Sequence, residues 1–125
     1  MKDARIEKLA NNLLTYSVGI EKGDNILIEI LGEDGVPLGK ELIRKAEELG
    51  AKPYFNVVNY EVLRVMLENA TEEQIKLYAK HDLDRMKDMD AYIGVRANQN
   101  IAELIDVPAD KIEMYNKYYT YPVHI

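Results

Sequence analysis

The sequence predicts an α/β protein: a three-layer α/β/α domain with a mainly parallel sheet. Three observations carry this. A short, almost continuously apolar run occupies Asn25–Leu31; a helical pattern separates it from a second run at Tyr54–Val58; and two further helical stretches lead to a third run at Ala91–Val95. A strand that is apolar along its whole length is buried on both faces, as happens where helices cover a parallel sheet. A helix between two strands of one sheet leaves them parallel and joined right-handedly. At 125 residues, one domain spanning 1–125 is expected.

The elements follow in order. Ile6, Leu9, Ala10, Leu13, Leu14 and Ser17 fall at helical spacing, and Gly19 supplies a stop. Glu21-Lys22-Gly23-Asp24 reads as a turn into the first strand. The loop Gly32–Val36 leads to Pro37, whose fixed φ suits the start of a helix. Leu38, Leu42, Ile43, Ala46 and Leu49 mark one face of that helix, and Gly50 ends it. After the second strand, Val62, Leu63, Met66 and Leu67 indicate one helix. Another opens at Thr71–Gln74, which has the spacing of a capping box. Leu77, Tyr78, Leu83 and Met86 continue its apolar face, with a break expected near His81-Asp82. A last helix begins at Pro108 and runs through Ile112 and Tyr115. Tyr121, Val123 and Ile125 alternate with Pro122 and His124 as a strand does. The reading of that ending is a chain cut inside a continuing strand.

Composition narrows the function. Hydrophobic residues make up 47% and charged residues 30%, the profile of a globular protein. A net charge of −6 argues against nucleic acid as a partner, since phosphate binding needs a basic surface. With no cysteine, disulfides, thiolate metal sites and cysteine nucleophiles are excluded. No apolar run approaches the roughly 20 residues of a membrane span, and no signal segment opens the chain, so a cytoplasmic location is the simplest expectation.

Candidate chemistry is sparse. Hydrolytic metal sites need several His, Asp or Glu side chains converging on one ion. Here there are two histidines, His81 and His124, far apart in sequence. His81-Asp82-Leu83-Asp84 could be drawn as a ligand cluster, but adjacent residues on a helix point in different directions, and a solvated helix face is the simpler reading. Ser17, the one serine, lies in an amphipathic helix without a nucleophile elbow and reads as a buried packing residue. Ligands of parallel α/β sheets bind beyond the carboxyl ends of the strands. That places Glu33 and Asp34, Asn59, and Arg96, Asn98 and Asn100 on a polar rim. Nine tyrosines stand against one phenylalanine, and Tyr115, Tyr118, Tyr119 and Tyr121 cluster near the end. Such a cluster suits a surface apolar on one side and hydrogen-bonded on the other.

These residues, taken in order, carry a resemblance. Arg5-Ile6-Glu7-Lys8-Leu9-Ala10, Tyr16-Ser17 and Lys22-Gly23-Asp24 resemble the N-terminus of the thermophilic-type metalloaminopeptidases of peptidase family M29. Pro37-Leu38, Ala46 and Gly50-Ala51-Lys52-Pro53 are similar to that family's second helix and the turn after it. So is Ile93 through Arg96-Ala97-Asn98-Gln99-Asn100. Each motif is short, and it is their order over nearly the whole chain that makes the match specific.

The resemblance implies an intracellular exopeptidase, a homodimer that removes N-terminal amino acids from peptides with two divalent metal ions, cobalt or zinc. It also implies that the metal ligands and catalytic residues belong to a downstream domain beyond this chain. No catalytic, cofactor-binding or metal residue is therefore assigned to any position here. The expectation is an N-terminal domain, inactive alone, that shapes substrate access. The residues by themselves leave open a free-standing α/β ligand-binding or interaction module. They speak against a small flavodoxin-like enzyme, which would need clustered acidic residues at the strand ends or a phosphate loop.

Overall fold

The structure is a computed structural model that describes residues 3–96 and 107–120. They fall into two compact units, one holding 3–58 and 89–96, the other 59–88 and 107–120. The chain is mixed α/β, and its three strands form one parallel sheet in the order β2-β1-β3.

In the first unit, α1 (Ala4–Asn12) is capped by the Asp3 carboxylate, which accepts from Arg5 N, and widens into a π-helical turn over Leu13–Val18 that stops at Gly19. Strand β1 (Asn25–Leu31) leads through a 3₁₀ turn (Glu33–Gly35) into α2 (Val36–Glu48) and β2 (Lys52–Val58). Strand β3 (Ala91–Arg96) completes the sheet. β1 is buried at every position from Ile26 to Leu31, as its apolar run requires.

Alternation splits β1 into two faces. Ile26, Ile28 and Ile30 form one core with Ala10, Leu14, Leu42 and Ala46 of the helices and Ile93 and Val95 of β3. Each fully buried aliphatic side chain contributes about 1.5–3 kcal/mol, so this layer dominates the unit's stability. Leu27, Glu29 and Leu31 point the other way.

The register is bracketed at the amino ends of the strands. Lys52 N donates to Asp24 O at 2.7 Å, and Gly23 N to Gly50 O at 2.9 Å, joining β2 to the turn before β1. On the other side Asn25 N donates to Asp90 Oδ2 at 2.8 Å, while Asp90 N donates to Asn25 O at 2.8 Å.

In the second unit, Asn59 Oδ1 caps α3 (Tyr60–Glu68) by accepting from Glu61 N and Val62 N. α4 (Glu72–Lys87) opens with the expected capping box: Gln74 N donates to Thr71 Oγ1 at 3.1 Å and Thr71 N to Gln74 Oε1 at 3.4 Å. α5 (Ala109–Tyr115) has Pro108 as its cap and continues as a π-helical turn over Asn116–Thr120. Lys111 Nζ donates to Ala70 O at 2.7 Å, tying α5 to the turn between α3 and α4.

Several sequence expectations are corrected. Ser17 is exposed, because the π turn rotates the chain away from the 3.6-residue phase that would have buried it. α4 runs without a break through His81-Asp82, and its buried residues are Ile75 and Ala79, while Leu77 is exposed and Tyr78 only partly covered. α3 forms where Val62, Leu63, Met66 and Leu67 indicated a helix, burying Leu63 and Leu67 and leaving Val62 exposed. Leu9 and Leu49 are likewise exposed. The strand expected over 121–125 lies outside the described residues.

α2 approaches the sheet at Gly39, where an added Cβ would stand 2.3 Å from Ile30 Cδ1 and 2.6 Å from its Cγ1. Gly39→Ala would normally strengthen a helix interior by about 1 kcal/mol. Here overpacking of about 1–3 kcal/mol opposes that gain, so the variant should unfold at lower urea than the parent chain. Equal or higher stability would mean the interface has slack that the close approach denies.

Candidate functional site

One charged side chain stands within the otherwise apolar central strand. Glu29 is 1% exposed. It lies on the sheet face opposite the isoleucine layer, opposite Asn56 of β2 and Gly94 of β3. Tyr92, two residues before Gly94, leans along β3 and donates its hydroxyl to Glu29 Oε1 at 2.9 Å. From the other side Asn56 Nδ2 reaches Glu29 Oε2 at 3.5 Å. Gly94 makes this possible: a Cβ there would sit 2.9 Å from the Tyr92 hydroxyl oxygen. A buried carboxylate is tolerated only where donors replace its water, and here all three strands contribute to the group. Tyr54 extends the same face, its hydroxyl 3.4 Å from Asn25 Oδ1.

The sequence reading did not single out Glu29. The signal was present, since one acidic residue interrupts a run interpreted as buried on both faces, and such a position demands partners.

The rim beyond the strand ends is only partly assembled by the described residues. Arg96 closes β3 in register with Leu31, exposed at the carboxyl end of the sheet. Glu33 and Asp34 are exposed in the 3₁₀ turn that follows β1. Asn59 is engaged in capping α3. Asn98 and Asn100 lie outside the described residues, as does His124.

Within the second unit the tyrosines do gather. Tyr119 is buried, its ring 4.9 Å from Tyr115 and 5.2 Å from Tyr78, and its hydroxyl donates to Asp82 Oδ2. Asp82 also accepts from Arg85 at 3.4 Å. Asp82 is therefore committed to holding the π turn on α4, while His81 is exposed. Tyr118 donates to Glu72 Oε1 at 2.7 Å, and the ammonium groups of Lys76 and Lys117 lie 4.8 and 5.2 Å from its ring centroid. Tyr121 lies outside the described residues. A surface groove of about 530 Å³ opens beside this cluster, lined by Glu72, Asp110, Glu113, Met114, Lys117 and Tyr118 among others.

Electrostatics in this cluster have a clear direction. The Tyr118 hydroxyl, then the Lys76 ammonium, hold the Glu72 carboxyl below its ordinary value, and Glu72 raises Lys76. Among the described residues no three His, Cys, Asp or Glu side chains are grouped to hold a metal ion. The described residues fix strand register around Glu29 and hold the Asn116–Thr120 turn on α4.

A family model described as thermophilic metalloprotease (M29) matches residues 2–122. Comparison with curated proteins gives no match. Among solved structures, wild-type AmpT from Thermus thermophilus is similar in fold, with a TM-score of 0.67 and 22% identity over 94% of this chain. The chain spans 30% of the length of that protein.

Two measurements check this geometry. Tyr92→Phe removes a donor from a buried carboxylate, which typically costs about 1–3 kcal/mol. Urea unfolding should show a loss in that range, and no loss would mean Glu29 is satisfied without Tyr92. Tyr118→Phe should move the Glu72 pKa upward toward an ordinary carboxylate, read by NMR titration of its side chain. The sign follows from the depressed folded value: the contribution of Glu72 is present above its unfolded pKa and is lost as pH falls through the folded one. An unchanged titration would place the cause elsewhere.

Proposed function

This chain belongs to the M29 family of thermophilic metalloproteases, and from that premise we propose that it is the N-terminal domain of a metal-dependent aminopeptidase acting on the N-termini of peptides. The observation that supports this reading is the family match across residues 2–122. In this reading the two divalent ions and the residues that polarise the scissile carbonyl belong to polypeptide beyond this chain. Among the described residues, the donors do not fit a two-metal centre. His81 is exposed, Asp82 is bound to Tyr119 and Arg85, and Glu29 is sealed among strand partners.

The domain then contributes shape rather than bond-breaking groups. Its parallel sheet presents Arg96, Glu33 and Asp34 at the strand ends, the usual ligand-facing side of such a sheet. These are the residues through which it would border the route of a peptide to the metal centre. We place it inside the cell as part of a homodimer.

The test is a paired assay of aminoacyl-anilide hydrolysis with added cobalt or zinc, using this chain alone and the uninterrupted reading frame of its gene. Metal-dependent turnover is expected from the longer product and none from the chain alone. Robust turnover by the pure chain would overturn the assignment of chemistry to another domain. An inactive longer product, correctly folded and metal-loaded, would overturn the peptidase reading.

A further inference from the structure

We propose that Asp34-Gly35, in the turn after β1, is a self-modification site, where aspartate isomerises to isoaspartate through a cyclic imide at a rate set by opening of the 3₁₀ turn. The inference is independent of the peptidase reading, since the reaction is intramolecular and needs only water.

Asp34 is the one aspartate in the sequence followed by glycine, and no asparagine is. Glycine leaves the following amide nitrogen without a side chain to crowd it, which makes such a pair the most open to ring closure. Gly35 N attacks Cγ of the protonated Asp34 carboxyl. The N–Cγ bond forms, a C–O bond of the carboxyl breaks, and its hydroxyl leaves with the amide proton as water. Water then adds at one of the two imide carbonyls. Addition at Cγ restores aspartate. Addition at the α-carbonyl carbon breaks its bond to Gly35 N, so the main chain now runs through Cβ and Cγ and a carboxylate remains on Cα. One water leaves and one enters, and the mass is unchanged.

Packing keeps both residues in place. Gly35 is buried, and an added Cβ would stand 2.8 Å from Val95 Cγ1 and 3.3 Å from Ile30 Cγ2. Overpacking of this kind destabilises a core, so the side chain that would slow the reaction is excluded by the sheet. Asp34 and Glu33 precede the first turn of α2, where a carboxylate is favoured by the helix dipole. Each residue has its own structural reason, and their adjacency creates the reactive pair.

The same turn restrains it. Gly35 N donates to Gly32 O at 3.1 Å, and Gly32 N donates to Val58 O at 2.9 Å, which ties the turn to the end of β2. A 3₁₀ turn holds ψ at roughly −20 to −30°. Closing a five-membered ring requires the Cα–C bond of Asp34 to rotate out of that range until Cγ meets Gly35 N. That rotation breaks the bond from Gly35 to Gly32. The reaction therefore proceeds from a locally opened turn, and its rate follows the population of that state. The exposure of Asp34 gives its carboxyl room to swing. Isoaspartate adds one main-chain atom between Gly32 and Gly35, so the turn no longer closes in its original geometry.

The folded chain and a synthetic peptide of residues 29–39 are incubated in one buffer at one temperature. Isoaspartate is quantified with an isoaspartyl methyltransferase and located by fragmentation mass spectrometry. It should form at position 34 in both, more slowly in the folded chain by about tenfold to a hundredfold. Gly32→Ala puts a side chain at a φ of 104°, which strains the turn and should move the folded rate toward that of the peptide, with circular dichroism confirming the fold. Should that variant not fold, Asp34→Asn serves: it keeps the shape, closes the same ring with loss of ammonia, and should show a similar slowing against its matching peptide. Absence of isoaspartate at 34 in the folded chain once the peptide has reached its final composition overturns the proposal. So do equal rates in folded chain and peptide, a folded Gly32→Ala chain that reacts no faster, or another aspartate of the folded chain converting as fast as Asp34.

Discussion

The burial of β1 on both faces is the constraint on which the first unit depends. Six consecutive residues, Ile26 to Leu31, are removed from water, and every neighbouring element is placed so as to achieve this. α1 and α2 cover the isoleucine layer, while β2 and β3 satisfy the backbone on either side in parallel register. The demand extends to polar atoms. One of the six is Glu29, so a strand chosen for desolvation also has to supply donors to a carboxylate. Tyr92, Asn56 and the missing side chain of Gly94 are the response. An apolar residue at position 29 would pack without partners, but it would not distinguish the intended neighbours from a strand slipped by two residues.

The second unit solves a different problem by different means. The packing of its helices is polar at the margins: Tyr118 to Glu72, Tyr119 to Asp82, Lys111 to a carbonyl in the turn after α3. Tyrosine serves here because its ring buries area while its hydroxyl still finds a partner. This accounts for the consecutive tyrosines Tyr118 and Tyr119. The last of these helices ends in a π-helical turn, which widens the spacing and lets consecutive residues Tyr118 and Tyr119 reach α4 at two separate carboxylates, Glu72 and Asp82.

Much of this was legible in the sequence, for identifiable reasons. β1 was readable to the residue because a continuously apolar run such as Asn25–Leu31 fits a strand buried on both faces. The Thr71–Gln74 capping box was readable because its chemistry is local. Failures came where a periodic pattern met a change of pitch or more than one face. The π turn moved Ser17 to the surface, and α3 and α4 carry apolar residues on sides that do not face their neighbours. The Glu29 group was missed for a further reason: its two side-chain partners, Asn56 and Tyr92, are 27 and 63 residues from the carboxylate in sequence, and no local rule joins them. The family, by contrast, was legible from ordered short motifs, and the match over residues 2–122 agrees with it.

The polar bracket around Glu29 also has a history as the chain folds. β1, α2 and β2 are adjacent in sequence, so their pairing closes a short loop and can form early. β3 arrives only after α3 and α4 have been traversed, and the Tyr92 hydroxyl meets a carboxylate 63 residues behind it. Until then Glu29 remains hydrated at an open strand edge, a charge that discourages other chains from pairing there. The same residue thus protects the half-built sheet from premature association and, once Tyr92 docks, closes it. Its dehydration belongs to the last step of assembling the sheet.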